Sequence, residues 1–374
     1  MNNKQKIWQC QKSLVTLRSI HNSITQQNIL DTLLFAGQFI IGLLAIIKGA
    51  DWLTDGAASI AERFGIPTLV VGMTIVAIGS SAPELVVSVV AALKGNADMA
   101  LGNVVGSNIF NILGIMGITA VVTPIVVERG NVRNDVPFAV LSSIVIAITA
   151  FDTIFSPEAT DNSISRTDGL LMLCMFAIFM SYTLALAGKG KASEANATAN
   201  NEAEKPQSVS TEKDSDAESK PISSVLRSSL LIVIGLACLI FGGDWLVDGA
   251  SGIATVLGVS QSIIALTIVS AGTSAPELAA SVMAARKGDT AMALGNVVGS
   301  VIFNVFFVLG IAATIHPLGV GGITWFDIST LLVASCLLWI FCRFGKRYLT
   351  LTRPEGLIMI LMAVAYYSWL VIQA

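Results

Sequence analysis

Charge, histidine and cysteine are all scarce in this chain. Only 13% of its 374 residues are Asp, Glu, Lys or Arg, with 22 basic against 25 acidic. That balance offers no basic surface to a nucleic acid, and the charges are too few to coat a soluble domain of this length. Histidine occurs twice, at His21 and His316. No HExxH or other nitrogen-ligand pattern accompanies either, which removes the zinc hydrolases and leaves an intramembrane enzyme without its usual metal ligands. The five cysteines, Cys10, Cys174, Cys238, Cys336 and Cys342, are scattered with no CxxC pair, so they read as packing residues. The N-terminal stretch lacks a compact apolar core followed by a small-residue cleavage site, and no cleaved signal peptide is expected.

Apolar residues stand in place of charge. They make up 54% of the chain, and the mean hydropathy is +0.75. Such values belong to an integral membrane protein, whose setting is the lipid bilayer. After a polar tail at residues 1–28, ten apolar stretches are long enough to cross about 30 Å of hydrocarbon at about 1.5 Å per residue. They fall near 29–50, 67–93, 99–122, 136–151, 168–187, 222–246, 261–285, 292–315, 325–344 and 355–372. The fourth and fifth contain no buried acid and read as scaffold. Between the fifth and sixth, residues 188–221 turn rich in Ala, Asn, Ser, Lys and Glu, the composition of a hydrated, disordered linker.

The two sides of this linker are copies. GSSAPELVVSVVAALKGNADMALGNVVGSNIFN at 79–111 and GTSAPELAASVMAARKGDTAMALGNVVGSVIFN at 272–304 agree at 24 of 33 positions without a gap. GADWLTDGAASIA at 49–61 matches GGDWLVDGASGIA at 242–254 at the same offset of 193. One repeat is then five spans, residues 29–187, and the other is residues 222–374. Five is odd, so the second copy enters the bilayer from the opposite side. The predicted fold is an all-α polytopic membrane protein of ten transmembrane helices in two inverted-topology repeats, with helices 2 and 7 broken. Placing the N-terminus outside puts 15 Lys and Arg on the inner side against 6 on the outer, which favours both termini outside and a cytosolic linker.

Glu84 and Glu277 carry the chemistry. A glutamate near the middle of a span costs roughly 2.5–3.5 kcal/mol on insertion scales, and no lysine or arginine lies in spans two, three, seven or eight away from their ends. The counter-charge is then a mobile cation. Gly79 with Pro83, and Gly272 with Pro276, break the helix and release carbonyls towards a cavity. Ser81, Glu84 and Ser88 share one helical face, as do Ser274, Glu277 and Ser281. Spans three and eight add Ser107 with Asn111 and Ser300 with Asn304. This all-oxygen inventory fits a hard ion such as Ca²⁺, or several Na⁺, and not a soft transition metal. Asn103 and Asn296 either ligate or cross-link helices. Asp51, Asp55, Asp244 and Asp248 read as interfacial caps.

With these residues in place, the chain resembles the calcium/cation antiporter superfamily, in particular its prokaryotic sodium/calcium exchanger-like members. The two G-[ST]-S-x-P-E turns at 79–84 and 272–277, with the two G-S-x-x-F-N segments ending at Asn111 and Asn304, look like that family's alpha repeats, placed here at 72–117 and 265–310. The resemblance implies one central cluster that binds Na⁺ and Ca²⁺ alternately, with spans one and six sliding against the other eight. It implies that Glu84 and Glu277 bind both ions and that Ser81, Ser274, Ser107 and Ser300 complete sodium sites. Carbonyls of Ala77 and Ser270 and groups of Ser80 and Thr273 would contribute from the broken turns, with Asn111 and Asn304 at the centre. The implied protein is a monomeric antiporter of the plasma membrane, the inner membrane in a bacterium; it is not an enzyme and has no cofactor.

Departures from the family pattern narrow this expectation. Several members have Asp where this chain has Asn304, and potassium-dependent exchangers resemble that acidic pattern, so K⁺ co-transport is not expected. The proton-coupled branch typically reads G-N-x-x-E at the broken turn, which makes H⁺-coupled Ca²⁺ antiport the alternative. A passive cation channel ranks below both, because broken helices in inverted repeats favour alternating access. The 34-residue linker is too short for a calcium-sensing domain. Two carboxylates neutralise one Ca²⁺ whereas three Na⁺ would leave one positive charge, so exchange is expected to be electrogenic and to export Ca²⁺. Facing carboxylates in an ion-free cavity repel each other, and protons are expected to compete with both ions.

Overall fold

A computed structural model describes residues 3–155, 161–203, 225–256, 270–320, 323–345 and 347–373. Among the described residues the helices that carry the fold are, before residue 204, α1 (Asn3–Phe64), α2 (Thr68–Ser80), α3 (Ala82–Leu93), α4 (Ala97–Val122), α5 (Asp135–Thr149) and α6 (Arg166–Ala203). After it come α7 (Val225–Val256), α8 (Ser270–Thr273), α9 (Ala275–Arg286), α10 (Thr290–Ile315), α11 (Trp325–Phe344) and α12 (Arg353–Gln373). Among the described residues seven helices are long and apolar enough to cross a membrane, or eight if α2 and α3, bent by 49°, form one span. The expected fourth span is a helix of 15 residues, and the start of the expected seventh, residues 261–269, lies outside the described residues. Helix α1 begins within the expected N-terminal tail, and α6 continues to Ala203 within the expected linker; residues 204–224 are outside the description.

The two repeats fold by the same local rules. Gly95 and Gly288, at φ +70° and +88°, turn the chain after α3 and α9 where a side chain would be strained. Asn96 and Asp289 then cap the following helices, accepting from the Met99 and Met292 backbone N–H at 3.1 and 2.9 Å. Helices α4 and α10 form the shared core, with Leu101, Ile112 and Met116 packed in one cluster with Leu294, Val297 and Phe306.

Helices α1 and α7 form a separate antiparallel pair joined by a glycine seam. Gly42, Gly49 and Gly56 recur every seven residues, as do Gly235, Gly242 and Gly249. A Cβ on Gly49 would lie 2.7 Å from the Gly235 carbonyl oxygen, and one on Gly242 would lie 3.0 Å from that of Gly42. Only glycine lets the backbones approach so closely. Two-residue antiparallel strands tie the loops: β1 (Ile125–Val126) pairs with β4 (Thr350–Leu351), and β2 (Ser163–Ile164) with β3 (Leu318–Gly319).

Two expectations require correction here. Asp51, Asp55, Asp244 and Asp248 cap nothing, because α1 and α7 run straight through them; Asp51 and Asp55 instead pair with Lys287 Nζ at 2.6 and 2.9 Å. The fourth span also carries an acid after all: Asp135, one residue before the expected start, is 2% exposed at the head of α5.

Candidate cation site

Two broken helices and two locally widened ones bring the oxygens together. Proline at the start of α3, and again of α9, supplies no N–H to the preceding turn. The chain leaves helical geometry at Ser81 (φ −82°, ψ 12°) and at Ser274 (φ −91°, ψ 9°) and re-enters it one residue later. In α4 and α10 the backbone opens into π-helical turns at Phe110–Ile115 and Asn304–Leu309, a feature frequent at functional sites. Glu84, Glu277, Ser80, Ser81, Ser274, Ser300, Asn111 and Asn304 are all fully buried, and Ser107 is nearly so.

The serines of the two breaks cross over. Ser81 Oγ donates to Glu277 Oε1 at 2.7 Å and Ser274 Oγ donates to Glu84 Oε1 at 3.0 Å, so each carboxylate is held by the opposite half. Ser81 Oγ also lies 3.0 Å from Ser300 Oγ, and Asn304 Nδ2 donates to Ser107 Oγ at 3.3 Å, which ties both inner helices into the cluster. Five buried polar atoms here have no hydrogen-bond partner: Glu84 Oε2, Glu277 Oε2, both amide atoms of Asn111, and Asn304 Oδ1. An unpaired buried carboxylate oxygen is costly, and no lysine or arginine is buried among the described residues. Four of the five are oxygens, the donor type that suits a hard cation supplied from solution; the fifth, the Asn111 nitrogen, is a hydrogen-bond donor.

Other expected ligands are occupied or lie at the margin. The Ala77 carbonyl accepts from the Ser81 backbone N–H at 3.0 Å and from Ser80 Oγ at 3.3 Å. Ser80 Oγ also reaches Asn296 Oδ1 at 3.3 Å. Thr273 closes α8 immediately before the second break, and Ser270 is the first described residue of that helix. Asn103 and Asn296 act as cross-braces: their Nδ2 atoms donate to the Glu84 and Glu277 backbone oxygens at 3.1 and 3.2 Å and to Ser88 and Ser281 Oγ at 2.9 and 2.8 Å. Ser88 and Ser281 therefore serve helix packing. Sequence reasoning missed Asn108, whose Oδ1 accepts from Asn304 Nδ2 at 3.1 Å. Its signal was a mismatch, since position 301 of the second copy holds Val.

A mostly helical membrane protein with two buried carboxylates, and no buried lysine or arginine among its described residues, has the features of a cation transporter. The chain is a member of the sodium/calcium exchanger protein family, whose model matches residues 34–185 and 227–372, a family of antiporters and not of enzymes. It is 32% identical to the inner membrane protein YrbG of Escherichia coli over 83% of this chain and 89% of that one. It is 29% identical to the sodium/calcium exchanger MaX1 of Methanosarcina acetivorans over 87% of this chain and 95% of that one. Among solved structures it is similar to the sodium-calcium exchanger NCX_Mj soaked with 10 mM Na⁺, with 28% identity and a TM-score of 0.72, covering 90% of this chain and 99% of that one.

Proposed function

We propose that the chain exchanges Na⁺ for Ca²⁺ by alternating access, with both ions bound in turn between Glu84 and Glu277. The observation that carries this reading is the crossed clamp: each carboxylate is fixed by a serine of the other half while its second oxygen stays unpaired. A site lined from both halves opens to one side and then the other when the first and sixth spans, paired here as α1 and α7, slide against the remaining helices. The matched contacts 193 residues apart, at Asn103 and Asn296 and at the Asn96 and Asp289 caps, support two like halves. With five spans in each half these are inverted, ten spans in all, with the N-terminus outside and the linker cytosolic. Ser107, Ser300, Asn111 and Asn304 complete the ligand set.

Charge sets the direction. The pair of carboxylates balances one Ca²⁺, so a Na⁺ load of greater charge moves net positive charge inward, gaining about 2.3 kcal/mol per elementary charge per 100 mV. Ca²⁺ is then exported. The test is radiolabelled Ca²⁺ uptake into proteoliposomes with imposed Na⁺, K⁺ or H⁺ gradients, comparing the native protein with Glu84→Gln and Glu277→Gln. Uptake that requires internal Na⁺ and is lost in both variants is expected. Uptake driven by a proton gradient alone would replace this reading with H⁺ coupling, and uptake surviving both substitutions would remove the site.

A further inference from the structure

The orientation of the Asn304 amide follows from a chain of groups that can each play only one role. A backbone carbonyl can only accept, so the Asn108 atom 3.3 Å from the Val301 oxygen is Nδ2. The Asn108 oxygen therefore faces the other way, towards Asn304, and an amide oxygen also only accepts. Asn304 must then present Nδ2 to it, at 3.1 Å. The second proton of Asn304 Nδ2 is directed to Ser107 Oγ at 3.3 Å, and the Ser107 hydroxyl donates onward to the Val104 carbonyl at 3.3 Å. Both amide protons of Asn304 are thus engaged on one side. Its Oδ1 is left buried on the other, without a partner.

The twin position lacks this arrangement. Val301 stands where the first copy has Asn108, and both amide atoms of Asn111 are without a partner. The Asn111 amide can therefore present oxygen or nitrogen, whereas that of Asn304 is fixed with its negative end outward. Rotated by half a turn, the same amide would face a cation with its NH₂ group.

We infer that Asn108 is a positioning residue for cation binding, acting through Asn304 to keep an amide oxygen turned into the site. The inference rests on the exchanger reading above and adds to it a functional inequality between the two halves. Asn108 itself touches no ion: its oxygen accepts from Asn304 and its nitrogen donates to Val301. Removing it leaves every proposed ligand in place and frees one of them to turn the wrong way.

A double-mutant cycle tests this by equilibrium ⁴⁵Ca²⁺ binding to purified full-length protein, alongside transport. Asn108→Val introduces the residue native to the twin position, and Asn108→Ala is the second variant should the first not purify as folded protein. Either is expected to weaken Ca²⁺ binding about ten-fold, the size of one mis-set polar ligand, with the maximal transport rate within about two-fold of native. In an Asn304→Asp background the same substitution should change binding by less than about two-fold, because a carboxylate has two like oxygens and no end to orient. Equal losses in both backgrounds would show a merely structural role and overturn the inference, as would native affinity in both Asn108 variants. Native protein that binds no Ca²⁺ would instead overturn the exchanger reading itself.

Discussion

The glycine seam between α1 and α7 gives a stability prediction with a built-in control. A methyl group added at Gly49 would sit 2.7 Å from the Gly235 oxygen, 2.9 Å from Cys238 Cβ and 3.0 Å from the Leu239 nitrogen. Two of these three are backbone atoms that cannot rotate away. The helices must part by about 0.5–1 Å to restore ordinary contact distances, and overpacking of this kind costs about 1–3 kcal/mol. Gly37 lies on the same helix with nothing within 4 Å of its added Cβ. Alanine there should be neutral or stabilise by up to about 1 kcal/mol through helix propensity. Thermal unfolding of purified protein in one detergent should rank Gly37→Ala at or above native and Gly49→Ala clearly below it. If the two variants melt together, backbone contact along the seam is not what joins these helices.

Further expectations concern the braces and the ion pairs. Asn296→Leu leaves the Glu277 carbonyl and Ser281 without their shared donor, and should cost about 0.6–2 kcal/mol in the membrane interior, read as a lower melting temperature. Its effect should add to that of Asn103→Leu, since the two braces share no residue. Lys287→Gln removes contacts to Asp51 and Asp55, whose side chains are 34% and 55% exposed. Solvent screening limits the loss to under about 1 kcal/mol, and a salt series should erase even that.

Much of the site was legible because its signals are local. A proline with a glutamate inside an apolar run marks both the break and the buried charge, and the second copy removes doubt about either. The crossed serine clamps were not legible: Ser81 and Glu277 are 196 residues apart, and nothing in either copy says which half holds which carboxylate. The π-helical turns at Asn111 and Asn304 have no sequence mark of their own. Asp51 and Asp55 were misread as caps because polar residues near the end of an apolar run look alike whether the helix stops or continues. The seven-residue glycine period was visible in the sequence, but its meaning needed the opposing helix. Asn108 shows the reverse lesson, since one departure from an otherwise faithful repeat marked the residue that breaks the equivalence of the two asparagines.

The short strands have a consequence for how the molecule is held as one object. β1 and β2 lie in the first copy, and their partners β4 and β3 lie in the second. Helices α4 and α10 share one core, and α1 is seamed to α7. Strands, core and seam thus each join one copy to the other, much as in a dimer whose subunits happen to be on one string. The two copies have the contacts of partners that could assemble as separate chains.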